Sequence, residues 1–269
     1  AAMQAIGDLL GDHAPTPALL HHDPDNFITV MTAAPRDAVL YEPELLAGRF
    51  HAGVASRIGA YAARLHVATR DNADVRRRFE TNPGFALRDQ SIRSASFANP
   101  DLADRIASLL RRNREQASAL VDADITPKNV LIHDGAITKL DFECAQWGDP
   151  ALDVGIVVAH FLLIAFARPM WRGALVAETE LFLSAYEEAA GPPSSDDVRR
   201  FCEYAAAMML GRVDGDLVLE YAGPHRDPVN RLARHLLAQP PTGRIELMAV
   251  VGDALAREDA LRSGTVDRA

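Results

Sequence analysis

The pair Asp134-Gly135 constrains the fold of this chain more than any other feature, because it separates two short apolar runs, NVLI and AITKLDF. Both central residues of a type I′ turn adopt positive φ, which an Asp-Gly pair tolerates, so the sequence predicts a β-hairpin. Pairing then places residue 133 opposite 136, residue 131 opposite 138, and Asn129 opposite residue 140 or 141. Asn129 and Asp141 are therefore expected to face each other at the open end of the hairpin.

This open end carries three oxygen-bearing side chains. Cross-strand neighbours have Cβ atoms ~5 Å apart, so Asn129 and Asp141 can each offer one oxygen to a hard cation such as Mg²⁺. Asp124 lies on the loop that enters the first strand, near the same end. The alternative is that Asp124 and Asn129 only shape a turn around Pro127, and that Asp141 caps the strand end.

The order of these motifs resembles the aminoglycoside phosphotransferase and choline kinase branch of the protein-kinase superfamily. DITPKN, a hairpin and then DFE are similar to the catalytic and metal loops, in which DxxxxN precedes a DFG-like Asp. WGDPALDVG then resembles WGDPxxDLA of that branch, whose members often read HGDxxPxNVL and IDFE. Over about Ala1 to Gln239, the resemblance implies an α+β, protein-kinase-like fold. Residues 1–31 would be a remnant of the small β lobe, and residues 32–269 a mainly helical lobe carrying the catalytic hairpin.

The resemblance also implies roles for particular residues. Asp124 is similar to the base that accepts the proton of the substrate hydroxyl, and Asn129 and Asp141 are similar to the Mg²⁺ ligands. Thr32 to Ala34 would form the hinge, so that the backbone of Thr32 and of Ala34 would meet the adenine ring. ATP and Mg²⁺ are thus the expected cofactors.

Four further residues are interpreted around this site. Glu143 either assists a second metal or hydrogen-bonds its own loop. Asp149 and Asp153 are expected to support the loops at the start of a helix, where carboxylates suit the helix dipole. His66 is expected to be a hydrogen-bonded core histidine and not a catalyst.

The sequence departs from the family pattern just before Asp124, where Asp122 and Ala123 replace the usual His and Gly. A His there is thought to hold the loop through hydrogen bonds, and an ionised Asp cannot donate one. The extra negative charge is expected to perturb Asp124. Replacing Asp122 with His is therefore expected to raise the activity or leave it unchanged.

A second departure concerns the nucleotide site. Lys128 and Lys139 are the only lysines, both in the hairpin region, and none of the 17 glycines forms GxGxxG or GxxxxGK. In the resembling family a glycine-rich turn and a strand lysine position the phosphates. We therefore expect that about half of the small lobe is missing, that the native protein is longer, and that the 269 residues as written bind ATP weakly.

Composition narrows the partners and the compartment. The net charge of -9 argues against a nucleic-acid or anionic-membrane surface, and is compatible with a cationic acceptor. Cys144 and Cys202 do not suggest a disulfide framework, so a cytoplasmic protein is expected. The apolar run Val154 to Ala167 falls short of the ~20 residues that a membrane span needs, and is expected to be a buried helix.

The remaining elements are read from periodicity and from capping signals. Helices are expected over Met3 to Leu10, around Val54 to Leu65 and around Leu102 to Leu110, and after the start signals Ser194, Pro228 and Gly243. NFITVM and the preceding ALLHH are expected to pair around a turn.

Together these features predict Mg-ATP-dependent phosphorylation of a small-molecule hydroxyl of the aminoglycoside, amino alcohol or sugar type. The acidic run Asp214, Asp216 and Glu220 either faces the acceptor or is solvated. One alternative is a catalytically degenerate, kinase-like binding protein. Another is a metal-dependent phosphohydrolase that uses the same Asp and Asn side chains. No sequence feature specifies the oligomeric state.

Overall fold

Helices dominate the computed structural model, which describes residues 2–82 and 84–262. The helices are α1 (Ala2–Leu10), α2 (Tyr41–Leu46), α3 (Val54–Thr69), α4 (Ala73–Phe79), α5 (Gly84–Arg93), α6 (Ala95–Ala98), α7 (Ala103–Glu115), α8 (Ala151–Ala167), α9 (Arg172–Ala190), α10 (Ser195–Asp214), α11 (Arg226–Ala238) and α12 (Arg244–Arg262). The strands are β1 (Leu19–Asp23), β2 (Ile28–Met31), β3 (Val39–Leu40), β4 (Ala119–Val121), β5 (Val130–His133), β6 (Ala136–Lys139) and β7 (Gln146–Gly148). They form three antiparallel sheets, β1-β2, β3-β5-β6 and β4-β7.

The predicted central hairpin is present as β5 and β6. Residue 133 pairs with 136 and residue 131 with 138, and the turn residues Asp134 and Gly135 have φ of 47° and 74°. The N–H of Leu140 donates to the carbonyl of Asn129 at 2.8 Å, which extends the register by one pair. Asn129 therefore lies opposite Leu140, beside Asp141.

The short sheet β4-β7 positions the segments around this hairpin. Val121 pairs with Gln146 and Ala119 with Gly148, so the end of β4 lies beside the start of β7. Residues 122–124 follow β4, and residues 141–145 precede β7. The two motif segments therefore meet at one edge of this sheet.

The apolar helix α8 forms the centre of the core, as predicted. Every one of its residues is buried, and it packs against α9 and α10. A Cβ atom on Gly155 would lie 2.5 Å from the Cβ of Tyr204, so the close crossing with α10 requires glycine there. Among the helices of the described part, none has the length and apolarity needed to cross a membrane.

The β1-β2 hairpin contrasts with this core. Helix α1 buries Ile6, whereas Leu20, Phe27, Ile28 and Val30 of the hairpin are exposed, Phe27 by 92%. The residues between the strands form a surface turn in which Asp23 accepts hydrogen bonds from the N–H groups of Asp25 and Asn26. The boundary between the small lobe and the large lobe at residues 31 and 32 stays a prediction.

Candidate active site

The loop after β4 is held by one buried carboxylate, that of Asp153 in the first turn of α8. The N–H of Asp122 donates to Asp153 Oδ2 at 2.9 Å, and the N–H of Ala123 donates to Asp153 Oδ1 at 2.7 Å. Ala123 has φ of 59°, a left-handed conformation that costs a non-glycine residue ~1–2 kcal/mol. The two hydrogen bonds to a charged acceptor hold the loop in this conformation.

Asp153 is itself held by His66, which is fully buried. His66 Nε2 lies 2.9 Å from Asp153 Oδ2, and His66 Nδ1 lies 2.9 Å from the hydroxyl of Tyr186. His66 is thus the hydrogen-bonded core histidine that was predicted, and Asp153 supports the loop as predicted. Asp149 is also buried and forms an ion pair with Arg200 at 2.9 Å.

We expect Asp153→Asn to lower the free energy of unfolding by about 2–3 kcal/mol. The substitution replaces one acceptor oxygen with an NH₂ group that faces N–H donors, and hydrogen bonds to charged groups contribute ~1.5–3 kcal/mol each. Urea denaturation measures the change. Asp253→Asn, at an exposed position of α12, is the matched control. Equal stability of the two variants would show that Asp153 does not hold the loop.

Asp124, the predicted base, is buried and directly follows Ala123 in the same loop. Arg88 Nη2 donates to its Oδ1, and Asn129 Nδ2 donates to its Oδ2 at 2.8 Å. Burial acts to raise the pKa of Asp124, but the charges of Arg88 and Lys139 outweigh it, and the pKa lies below its ordinary value of 3.8. Asp124 is therefore an oriented carboxylate at neutral pH.

The predicted metal ligands lie on the two sides of the hairpin end. Because Asn129 uses its Nδ2 on Asp124, its Oδ1 is left for a cation, and no hydrogen bond engages that oxygen within the described residues. Asp141 is exposed, with φ of 62°, two residues after the end of β6. The hairpin and the turn at residues 127–129 thus bring Asp124, Asn129 and Asp141 together.

Two cavities meet at Asp141 and Glu143. The larger, of about 930 Å³, lies under the β1-β2 hairpin and is also lined by Met31 and Phe142. The smaller, of about 250 Å³, contains Asp124 and extends to α5 and α10. Asp141 therefore stands between a cavity next to the predicted hinge and a cavity that contains the predicted base.

The predicted hinge residues follow Met31. Thr32 is exposed, and its N–H donates to the carbonyl of Ala18 at 2.9 Å, while its hydroxyl accepts from the N–H of Ala18 at 2.9 Å. The N–H of Thr32 is therefore already used. Of the two residues, Ala34 is the one whose N–H remains for a ligand.

Asp122 has a partner that the sequence analysis did not foresee. The Lys139 ammonium lies 2.9 Å from Asp122 Oδ1, and the hydroxyl of Tyr61 donates to Asp122 Oδ2 at 2.7 Å. Asp122 and Lys139 are 0% and 1% exposed. Burial raises the pKa of Asp122, and the Lys139 charge opposes this effect. The negative charge of Asp122, which was expected to perturb Asp124, is thus paired with a buried ammonium.

Lys139 also joins the two loops of the site. Its ammonium donates to the carbonyls of Leu140 and Asp141 at 2.7 and 2.8 Å, and lies 4.6 Å from the centre of the Phe142 ring. The left-handed Asp141 is thus fixed through its own carbonyl. One ammonium holds both the loop of Asp122 and the loop of Asp141.

Arg88 and Arg212 are site residues that no sequence motif marks. Arg88 lies on α5, a segment to which no element was assigned, and it touches Asp124 only through tertiary packing. Arg212 lies in the last turn of α10 and lines the smaller cavity. The acidic residues after Arg212 have different environments, since Asp216 lines that cavity whereas Asp214 forms an ion pair with Arg226.

The donor set suits a hard divalent cation. An amide oxygen from Asn129 and a carboxylate from Asp141 are ligands that Mg²⁺ accepts, and Mg²⁺ usually keeps several waters and binds phosphate oxygens. Within residues 2–82 and 84–262, no group of three or more His, Cys, Asp or Glu side chains could hold a metal ion. Two protein donors would leave the remaining positions around such an ion for waters and phosphate oxygens.

Comparison with known families and structures places this arrangement in context. The model of the phosphotransferase enzyme family, APH, matches residues 1–192. None of the curated proteins compared with the chain matches it significantly.

Three solved structures share the fold. A choline/ethanolamine kinase family protein from Mesorhizobium loti is 17% identical with a TM-score of 0.57, covering 94% of this chain and 82% of that one. An aminoglycoside-3′-phosphotransferase of type VIII is 16% identical with a TM-score of 0.50, covering 78% of each chain. An amicoumacin kinase in complex with AMP-PNP and Ca²⁺ is 15% identical with a TM-score of 0.52, covering 90% and 78%. The α+β, kinase-like fold predicted from the motifs is confirmed.

Proposed function

Because the chain belongs to the phosphotransferase enzyme family and is a small-molecule kinase, we propose that it transfers the γ-phosphoryl group of Mg-ATP to a hydroxyl group of a small molecule. In this proposal residues 1–31 belong to the small lobe, residues 32–269 form the catalytic lobe, and the protein acts in the cytoplasm. The observation that carries the proposal is that Asp124 and Asp141, from separate motifs, line one cavity.

The nucleotide is assigned to the larger cavity. Met31, which precedes the hinge candidates Thr32 and Ala34, lines this cavity, and so does Asp141. Adenine near the hinge would direct the phosphates toward Asp141. The solved amicoumacin kinase was bound to AMP-PNP, which supports a nucleotide as the donor.

Asn129 and Asp141 would hold the Mg²⁺ ion. A divalent cation in this position neutralises charge on the transferring phosphoryl group. Asn129 would contribute in a second way, because its Nδ2 donates to Asp124 and its Oδ1 would remain for the metal. The same amide would then link the base and the metal.

Asp124 would orient the acceptor hydroxyl in the smaller cavity and accept its proton as the new O–P bond forms. Each carboxylate oxygen has two lone pairs, so the hydrogen bonds from Arg88 and Asn129 leave acceptor capacity for the substrate. Phosphoryl transfer depends mainly on positioning and electrostatics. The lowered pKa keeps Asp124 ionised but makes it a weak base, so its main contribution would be to hold the acceptor hydroxyl in position.

Incubation with Mg-ATP and a panel of aminoglycosides, amino alcohols and sugars tests the proposal, with ADP and the phosphorylated product followed by mass spectrometry. We would use residues 1–269 and the protein as its gene encodes it. Acceptor-dependent product supports the kinase. Phosphate release without an acceptor would favour the phosphohydrolase alternative, and nucleotide binding without any turnover would favour the binding protein.

Asn129→Ala and Asp141→Ala should each raise the Mg²⁺ concentration needed for half-maximal activity by at least ~10-fold. Loss of a residue that only supports a metal ligand already weakens metal binding by about this factor, so loss of a direct ligand should have at least the same effect. Metal titration of the acceptor-dependent rate measures this. Glu115→Ala, at an exposed position of α7, should leave the titration unchanged. Unaltered titrations in both site variants would remove the hairpin end as the metal site.

A further inference from the structure

The smaller cavity has a cationic wall, formed by three side chains that do not line the larger cavity. Arg88, Lys128 and Arg212 line only the smaller cavity, whereas Asp141 and Glu143 line both. The positive charges therefore face the acceptor side, and two of the carboxylates face the proposed metal and nucleotide. This separation of charge bears on which acceptor the cavity can hold.

Arg212 is the buried cation of this wall whose positive charge is least compensated by neighbouring groups. It is 5% exposed, yet it forms no ion pair with any described residue, and its one hydrogen bond runs from Nη1 to the carbonyl of Leu217 at 3.4 Å. Its Nε has no hydrogen-bond partner. Burial, reinforced by the charge of Arg88, lowers the pKa of Arg212. A buried guanidinium in this state is costly unless an anion binds beside it.

Two of the nearby carboxylates already have partners. Asp124 is paired with Arg88, and Glu42 accepts a hydrogen bond from the hydroxyl of Tyr221 at 3.3 Å. Asp216 lines the cavity but is exposed. Lys128 is exposed and forms no ion pair within the described part of the chain. Once Asp141 is engaged by a metal, Lys128 and Arg212 are left facing the acceptor.

From this arrangement we infer that the acceptor carries an anionic group, a carboxylate or a phosphate, which binds Arg212 and Lys128 while its hydroxyl lies at Asp124. The inference rests on the proposed function, because that function makes the smaller cavity the acceptor side. It differs from the cationic acceptor with which the net charge of the chain is compatible. Arg212 and Lys128 are assigned to specificity and not to the chemical step.

Four ligands built on one three-carbon scaffold test the sign of the charge. Glycerate and glycerol 3-phosphate carry an anion, glycerol is neutral, and 3-amino-1,2-propanediol carries a cation. Their affinities for the protein are measured by calorimetry with Mg²⁺ and AMP-PNP in excess, so that the metal engages Asp141 and the result does not depend on turnover. We expect glycerate or glycerol 3-phosphate to bind at least ~10-fold more tightly than the amino diol. One charge-assisted hydrogen bond can account for a difference in affinity of this size.

The two anionic ligands distinguish a carboxylate site from a phosphate site. Arg212→Met should abolish the preference for the anion, whereas Arg199→Met, at an exposed position of the same helix, should retain it. Lys128→Met, at an exposed position, should reduce the preference and serves if the Arg212 variant does not fold.

Three results would overturn the inference: equal or tighter binding of the amino diol, no binding of either anion at millimolar concentration, or an unchanged preference in the Arg212 and Lys128 variants. Failure of the proposed kinase activity is a different result, since it is the absence of phosphorylated product with every acceptor.

Discussion

Replacement of Asp124 by Asn should lower acceptor-dependent phosphoryl transfer by at least ~100-fold, the lower range for the loss of a general base. Asn keeps the shape of the side chain and can still accept a hydrogen bond from Arg88, but it cannot take the proton of the acceptor hydroxyl. Nucleotide affinity should change little, because Asp124 does not line the larger cavity. The turnover number measured at saturating Mg-ATP isolates this effect.

The same substitution removes the charge that compensates the buried Arg88, so stability has to be measured beside the rate. Far-ultraviolet circular dichroism and urea denaturation show whether the variant is folded under the assay conditions. Asp104→Asn, at an exposed position of α7, provides the control for loss of an Asp. Near-normal turnover by a folded Asp124→Asn protein would exclude Asp124 as the base.

The buried pair formed by Asp122 and Lys139 should show the largest effect on stability. Removing one partner of a buried ion pair leaves an uncompensated charge and typically costs 3–5 kcal/mol, about this much being expected for Asp122→Asn and for Lys139→Met. The double variant should be less destabilised than the sum of the single changes by more than ~1 kcal/mol, since contacting residues couple. Urea denaturation of all four proteins completes the cycle.

Asp122→His is a sharper form of this test. The sequence alone suggested that restoring the family residue would raise the activity or leave it unchanged, but in this structure a His would face the Lys139 ammonium without a compensating carboxylate. We now expect a loss of stability similar to that of Asp122→Asn. Additive effects in the cycle, or a fully stable Asp122→His protein, would show that the two side chains are not energetically paired.

The hairpin and its functional end could be predicted because their determinants are local. Asp134 and Gly135 specify the turn, and the turn fixes the register that places Asn129 beside Asp141. The capping box at Ser194 and Asp197 is local in the same sense and begins α10 as expected. Asp153 and His66 were correctly expected to be structural, although their direct contact was not foreseen.

The contacts that complete the site are distant in sequence and could not be predicted in this way. Arg88 reaches Asp124 because α5 packs beside α10, and nothing in its sequence spacing marks it as a site residue. Lys139 was noticed only as one of two lysines, since its pairing with Asp122 requires the β4 loop to fold back onto the hairpin. The burial of Arg212 likewise depends on the helices around it, and not on its neighbours in the chain.

The support of the β4 loop by Asp153 and His66 has a consequence for how this protein loses its activity. Active-site lids usually belong to the least stable cooperative unit of a protein and open by local fluctuation. Here the loop of Asp122 and Ala123 is bonded to α8, the most deeply buried helix, and through His66 to α3 and α9. Asp124, which follows this loop, therefore belongs to the same cooperative unit as the core. Its backbone amides should exchange with solvent through global unfolding, and heat should remove catalytic geometry and tertiary structure in a single transition.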